Sequence, residues 1–262
     1  MIETILPFMR CPRCSKSDLR NEGDGLACGG CLARYPVKSG ILDMVESEAD
    51  EVITPFQRVM QTPLVVSIYE KLWRRIGYYL ASSRAFSKEM QTVLRLARNR
   101  SNSRCLDLAC GPGVFTRPLA RNSEGVVVGL DLSWPMLLHA QKAMQKERIR
   151  NIQLIRATAF SMPFVDGAFQ CMNCCGALHL FDRPEAALKE MARVLEDGGY
   201  LCVQTTIRPE RSAGIAFLLE KFIRFGFFDE AELRDLLLGR GFEISESERH
   251  RISFTFLARC RK

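Results

Sequence analysis

Residues 105–116 read "CLDLACGPGVFT", and the fold class turns on how this stretch divides. Its first half is an apolar run broken only by Asp107, the pattern of a short strand buried on both faces. Gly111-Pro112-Gly113 then marks a turn, and "GVFTRPLAR" beyond it reads as a helix. Glycines at such a turn let backbone approach a ligand where a Cβ would clash, and the helix N-terminus that follows favours anionic groups.

Working outward, β-rich runs at 104–109, 125–130, 152–156, 168–174, 199–205, 243–248 and 252–259 alternate with helix-like stretches such as "SWPMLLHAQKAMQKE" and "RPEAALKEMARVLED". That alternation predicts an α/β fold with a mostly parallel, seven-stranded sheet covered by helices on both faces, closed by an antiparallel hairpin. Ligands in such folds bind at the carboxyl ends of the strands. Asp131 ends the second strand in "VVVGLDLS", twenty residues after Gly111, where an acid can accept both hydroxyls of a ribose. No third glycine stands at the spacing of a dinucleotide fingerprint, Arg117 and Pro118 coming in the helix instead, and a Walker lysine is missing.

The front of the chain is a different material. Cys11-Pro-Arg-Cys14 and Cys28-Gly-Gly-Cys31 form two C-x-x-C knuckles thirteen residues apart, spacing that suits four thiolates around one structural Zn2+. Fifty residues with few large apolar groups need such a metal to fold. The predicted organisation is therefore a zinc-ribbon module over 1–48, a helical linker or lid over 49–102, and an α/β domain over 103–262.

Eleven cysteines, an odd number, argue against a pure disulfide scheme. The N-terminus lacks a basic stretch followed by an apolar core, and no apolar run nears the roughly 18–20 residues of a membrane span, so a cytoplasmic protein without a membrane span is the expectation. The net charge of +7 is uneven: residues 1–50 carry −2, residues 51–104 carry +7 and the remainder +2. The linker's "LVVSIYEKLWRRIGYYL" offers Tyr69, Trp73 and Tyr78 as candidate substrate-binding residues of a pocket lid.

The ordered blocks "DLACGPG", "GLDLSWPML", "FSMPFVDGAF" and "GALHLFDRPEAALKEMARVLEDGGYL" resemble the class I S-adenosylmethionine-dependent methyltransferases, in particular those that methylate quinones and other small molecules. "ARYPVKSGILDM" after the knuckles resembles the Trm112-like ribbons that activate methyltransferases as separate subunits. The resemblance implies a Rossmann-like fold and S-adenosyl-L-methionine as cofactor. It assigns Asp107 to the methionine amino group and Gly111 and Gly113 to making room, with the backbone of Ala109 and Cys110 lining the site. It gives Asp131 to the ribose, Leu132 and Met136 to the adenine faces, and Thr158 and Ala159 to the adenine edge. Thr158 replaces an acid usual in the family, which implies weaker adenine recognition, and Gln170 replaces a structural acid. A small, largely apolar acceptor is the expected substrate. RNA base methylation and a non-catalytic scaffold are the alternatives.

The run "FQCMNCCGALHLF" at 169–181 borders the site of methyl transfer in that resemblance. Strand alternation puts Cys171 and Cys175 on one face and Cys174 on the other, so the three cannot share a metal. Cys174 is expected near the methyl group, and Asn173 and His179 are the candidate catalytic residues.

Overall fold

The computed structural model describes residues 2–45, 76, 78–79, 82–98, 102–209 and 226–262. Four short strands come first: β1 (Leu19–Glu22), β2 (Gly25–Cys28), β3 (Arg34–Lys38) and β4 (Ile41–Asp43). Helix α1 (Phe86–Leu96) precedes the alternating part. There follow β5 (Cys105–Leu108), α2 (Thr116–Arg121), β6 (Val127–Asp131), α3 (Trp134–Glu147), β7 (Ile152–Arg156) and β8 (Phe169–Cys175). The chain closes with α4 (Pro184–Val194), β9 (Leu195–Thr206), α5 (Glu230–Leu238), β10 (Phe242–His250) and β11 (Ser253–Cys260).

The seven expected strands pair in the order β7-β6-β5-β8-β9-β11-β10. All neighbours from β7 to β9 are parallel, while β11 runs antiparallel between β9 and β10. The order reverses beside β5, which starts the sheet in its middle and places a switch point at the glycine turn. One face packs under α1, α2 and α3 through Val93, Leu96, Leu119, Leu137 and Ala140. The other packs under α4, α5 and the ribbon through Leu188, Met191, Leu233, Ile5 and Met9.

Two features depart from the simplest expectation. The ribbon is not a bead on a string: β4 pairs parallel with β7, Asp43 opposite Arg156, so the ribbon's strands extend the sheet to eleven. The fourth helix also stops at Val194, earlier than "RVLED" suggests, because Leu195 is already extended and begins β9. Gly198 at φ +74° accommodates a bulge there before the regular register resumes at Tyr200.

Cys171 and Cys175 lie in the core under α1–α3, and Cys174 lies in the opposite one. The alternation expected of that strand therefore holds. No described helix is long and apolar enough to cross a membrane.

Candidate active site and metal centre

In the ribbon, the ligand atoms of Cys11, Cys14, Cys28 and Cys31 all lie within 4.8 Å of one another. Cys11 Sγ is 3.6 Å from Cys31 Sγ, and Cys14 Sγ is 3.5 Å from Cys28 Sγ. A tetrahedron of Zn–S bonds of about 2.3 Å has edges of about 3.8 Å, so the cluster has the right size for zinc. The two knuckles are built alike. Ser15 N donates to Cys11 O at 2.8 Å, and Leu32 N donates to Cys28 O at 2.9 Å. Ser15 and Leu32, each following a knuckle's second cysteine, take φ of +60° and +62°. Such a conformation is an outlier for a branched residue like Leu32, which is also 81% exposed, so burial does not explain it and the turn geometry does. Tyr35, absent from the sequence reading, sets its hydroxyl 3.1 Å from Cys11 Sγ, where it supports that ligand from behind.

At the carboxyl ends of β5 and β6 the two expected acids come together with the glycine turn. Asp107 is 2% exposed. One carboxylate oxygen accepts from Thr116 Oγ1 at 2.5 Å, the other from Asn173 Nδ2 at 2.6 Å. Asp131 accepts from Gly111 N at 2.7 Å through one oxygen and from Ser133 N at 2.8 Å through the other. Burial pushes the Asp131 carboxyl above its ordinary value, with the backbone N–H groups of Ser133, Gly111 and Leu132 pulling against it. A carboxylate has about four acceptor positions, so the backbone bonds from Gly111 and Ser133 do not saturate Asp131.

The turn between them is shaped for close approach. Ala109 (φ +53°), Gly111 (φ +54°) and Gly113 (φ +75°) all take left-handed backbone. A Cβ on Gly111 would meet nothing within 4 Å, which leaves open space at the backbone where a ligand is expected. A Cβ on Gly113 would crowd Ala140 of α3 at 3.2 Å. Arg117, in the first turn of α2, is buried and braces the glycine turn: Nη1 donates to Pro112 O at 2.9 Å and Nε pairs with Glu147 at 3.1 Å. Cys110 is buried at the rim and its thiol is pushed up, by burial first and then by the two carboxylates.

The adenine-side residues sit on neighbouring ends. Leu132 follows Asp131, Met136 is buried in the first turn of α3, and Thr158 and Ala159 follow β7. Thr158 Oγ1 already accepts from Phe160 N at 3.1 Å, forming a local turn and leaving the hydroxyl a second acceptor position and its proton. Gln170 is structural, with an amide's chemistry: Oε1 accepts from Arg104 N at 2.8 Å, as a carboxylate could, while Nε2 donates to Glu196 at 2.9 Å, which a carboxylate could not.

The remaining candidates lie on β8 and just beyond it. Asn173 is 0% exposed. It is the register partner of Asp107 on the adjacent strand, so both side chains leave the same face of the sheet and meet there. Its amide binds Asp107 at one end and accepts from Cys175 Sγ at 3.1 Å at the other. That makes Asn173 a positioning residue for Asp107. Cys174 is fully buried in the core on the α4 and α5 side, its thiol pushed up by burial and by Asp107. His179 occupies a single turn beyond β8 (Leu178–Leu180), with Nδ1 3.4 Å from Thr205 Oγ1. The chain at Gly226 crosses so close to His179 that a Cβ there would lie 2.2 Å from its carbonyl oxygen.

Of the lid residues, Tyr69 and Trp73 lie outside the described residues. Tyr78 uses its hydroxyl proton within the chain. It donates to the buried Glu89, whose other oxygen accepts from Thr255 Oγ1 at 2.9 Å. Burial, with Glu89 second, pushes the phenol up to about 12.

Known proteins agree with this geometry. Residues 105–199 match the family described as a methyltransferase domain. Two Arabidopsis thaliana proteins, the uncharacterized chloroplastic methyltransferases At2g41040 and At1g78140, are 28% and 27% identical over 193 and 231 residues, or 70% and 82% of this chain. A demethylmenaquinone methyltransferase of Lactiplantibacillus plantarum is 35% identical over 135 residues, 50% of this chain. The chain spans 54%, 65% and 56% of the length of these relatives. Among solved structures, one from a complex of the Haloferax volcanii Trm112 methyltransferase activator superposes with a TM-score of 0.63 at 15% identity, covering 81% of this chain and 100% of that one. At that identity the likeness is one of fold. Over residues 105–199 the chain thus matches a methyltransferase domain, and its strand order, with two carboxylates flanking an open glycine turn, is that of the class I methyltransferase fold.

Proposed function

We propose that the protein transfers a methyl group from S-adenosylmethionine to a small, largely apolar metabolite, and that its ribbon carries one structural zinc. The open backbone at Gly111, which donates to the Asp131 carboxylate close to the buried Asp107, supports the cofactor assignment. The methionine amino group falls to Asp107, the ribose to Asp131, and the adenine to Leu132, Met136, Thr158 and Ala159. When bound, the sulfonium supplies an electrophilic methyl group with its leaving group already in place. The chain's own task is then alignment, exclusion of water and, for a weakly acidic acceptor, removal of a proton. Thr116 and Asn173 hold Asp107 in one rotamer, Arg117 holds the glycine turn, and His179 is the candidate to take the acceptor's proton. Thr205 orients its ring.

One observation favours a small acceptor over RNA. The described basic side chains around α1 are largely answered within the chain: Arg95 and Arg98 pair with Glu246 at 3.0 and 2.5 Å, and Arg84 and Arg95 pair with Glu248 at 3.4 and 2.6 Å. These three arginines are thereby turned to the acids of β10 instead of facing phosphates. The 35% identical relative named for demethylmenaquinone supports the same reading.

The test is an acceptor screen with methyl-labelled S-adenosylmethionine. Label should enter an organic-soluble metabolite extract and not deproteinised RNA. Label found in RNA alone overturns the choice of acceptor.

A further inference from the structure

Arg156 ends β7, immediately before the segment that carries Thr158 and Ala159. Its side chain reaches in two directions. Nε donates to Leu132 O at 2.9 Å, on the residue following Asp131, and Nη1 lies 3.5 Å from both carboxylate oxygens of Asp43 at the end of the ribbon's β4. Both side chains of the pair are largely withdrawn from solvent, at 14% and 13% exposure. Their backbones are tied as well, since Met44 N donates to Arg156 O at 2.8 Å.

The far end of the same segment is held by the ribbon's N-terminal stretch. Val165 N donates to Phe8 O at 3.0 Å, Arg10 N donates to Pro163 O at 3.1 Å, and Met9 bridges Phe164. The ribbon thus ties the chain on both sides of residues 157–162, whose ends are held as well by Asp131, whose carbonyl oxygen accepts from Ala157 N at 3.2 Å, and by Glu190, which accepts from Met162 N at 2.8 Å.

We propose that Arg156, charge-paired with Asp43, is a positioning residue for the cofactor: it fixes the Leu132 carbonyl against the segment after β7 and so couples the ribbon to the adenine side of the site. The inference rests on the S-adenosylmethionine reading above. A planar guanidinium can serve a carbonyl and a carboxylate together through its fork of donors, whereas a lysine ammonium would keep the charge opposite Asp43 and give up that geometry. An arginine held in this way does more than stabilise a loop. It links the orientation of the residues beside Asp131 to the seating of β4.

The test is a titration of the full-length, zinc-loaded protein with S-adenosylhomocysteine, read by calorimetry, with melting temperature and zinc content measured alongside. Arg156→Lys should melt close to the wild-type protein with its zinc content intact, yet bind about tenfold more weakly, as for one lost charge-assisted hydrogen bond. Asp43→Asn should weaken binding about threefold, and the double variant should bind no worse than Arg156→Lys alone, because both act through one contact. Arg156→Met should bind at least as weakly as Arg156→Lys; if it fails to fold, Arg156→Lys carries the result. Arg156→Lys affinity within twofold of wild type overturns the proposal. So does a loss of affinity that merely follows a loss of melting temperature or zinc. A wild-type protein that does not bind S-adenosylhomocysteine at all instead overturns the cofactor reading on which the inference stands.

Discussion

Asp131 carries two opposed effects of pH. Burial raises its carboxyl above the ordinary value, so folding favours the protonated form. Its contribution to stability is greatest at low pH and declines as pH rises through the raised value. Ribose binding needs the ionised form, so affinity for S-adenosylhomocysteine should fall on acidification while stability does not suffer from this group. The fall should begin at a higher pH than the ordinary aspartate value of about 3.9 would produce. Asp131→Asn should flatten that part of the profile, and a profile unchanged by the substitution contradicts the assignment. Asn173 gives a second test. Asn173→Asp would set two carboxylates face to face in a sealed core, so it should cost about 3 kcal/mol or more in denaturant unfolding at neutral pH, part of it regained in acid. An unperturbed variant would show that the pair is less enclosed than its 2.6 Å contact implies. The acids were legible in the sequence because the turn, helix and spacing around them are local. The clamp on Asp107 was not, since the facing of Asn173 depends on the register of strands 66 residues apart.

At the scale of elements, the ribbon was the easier half to read and the easier to misplace. Four cysteines in two short turns point to a metal site through spacing alone, and the clustered sulfurs have the size that zinc would need. The parallel pairing of β4 with β7 leaves almost no trace in sequence, because a three-residue strand carries too little alternation to choose a partner. The left-handed turns at Ser15 and Leu32 supply the energetic argument for the metal. Residues strained in this way persist only where their surroundings over-determine them. The purified protein should contain about one zinc per chain. Removal by a strong chelator, or Cys14→Ser, should release the knuckles and lower the melting temperature by several degrees, as expected for loss of about 1–3 kcal/mol. A metal-free protein that melts unchanged would refute the structural zinc. The boundary between α4 and β9 was also misread locally, because "VLED" has good helical propensity and yields only to the pairing of Leu195 with Phe169.

For the molecule as a whole, composition identified where positive charge lies but not what it faces. The excess in residues 51–104 left open whether it meets solvent or a partner; three of its described members, Arg84, Arg95 and Arg98, meet Glu246 and Glu248 on β10, about 150 residues further along. Such pairing is invisible to a net-charge argument. What unites the molecule is the row of strand ends: β4, β7, β6, β5 and β8 run parallel, and Asp43, Arg156, Asp131, Asp107 and Asn173 stand at or near their carboxyl termini. The ribbon therefore joins the same edge on which the cofactor residues gather. The central claim is that this edge binds S-adenosylmethionine between Asp107 and Asp131. Calorimetric titration of wild-type protein and Asp131→Ala with S-adenosylmethionine tests it most directly. Saturable binding of one cofactor per chain, weakened about tenfold or more by the substitution, is the predicted result; no binding by the wild type, or equal affinity in the two proteins, would contradict it.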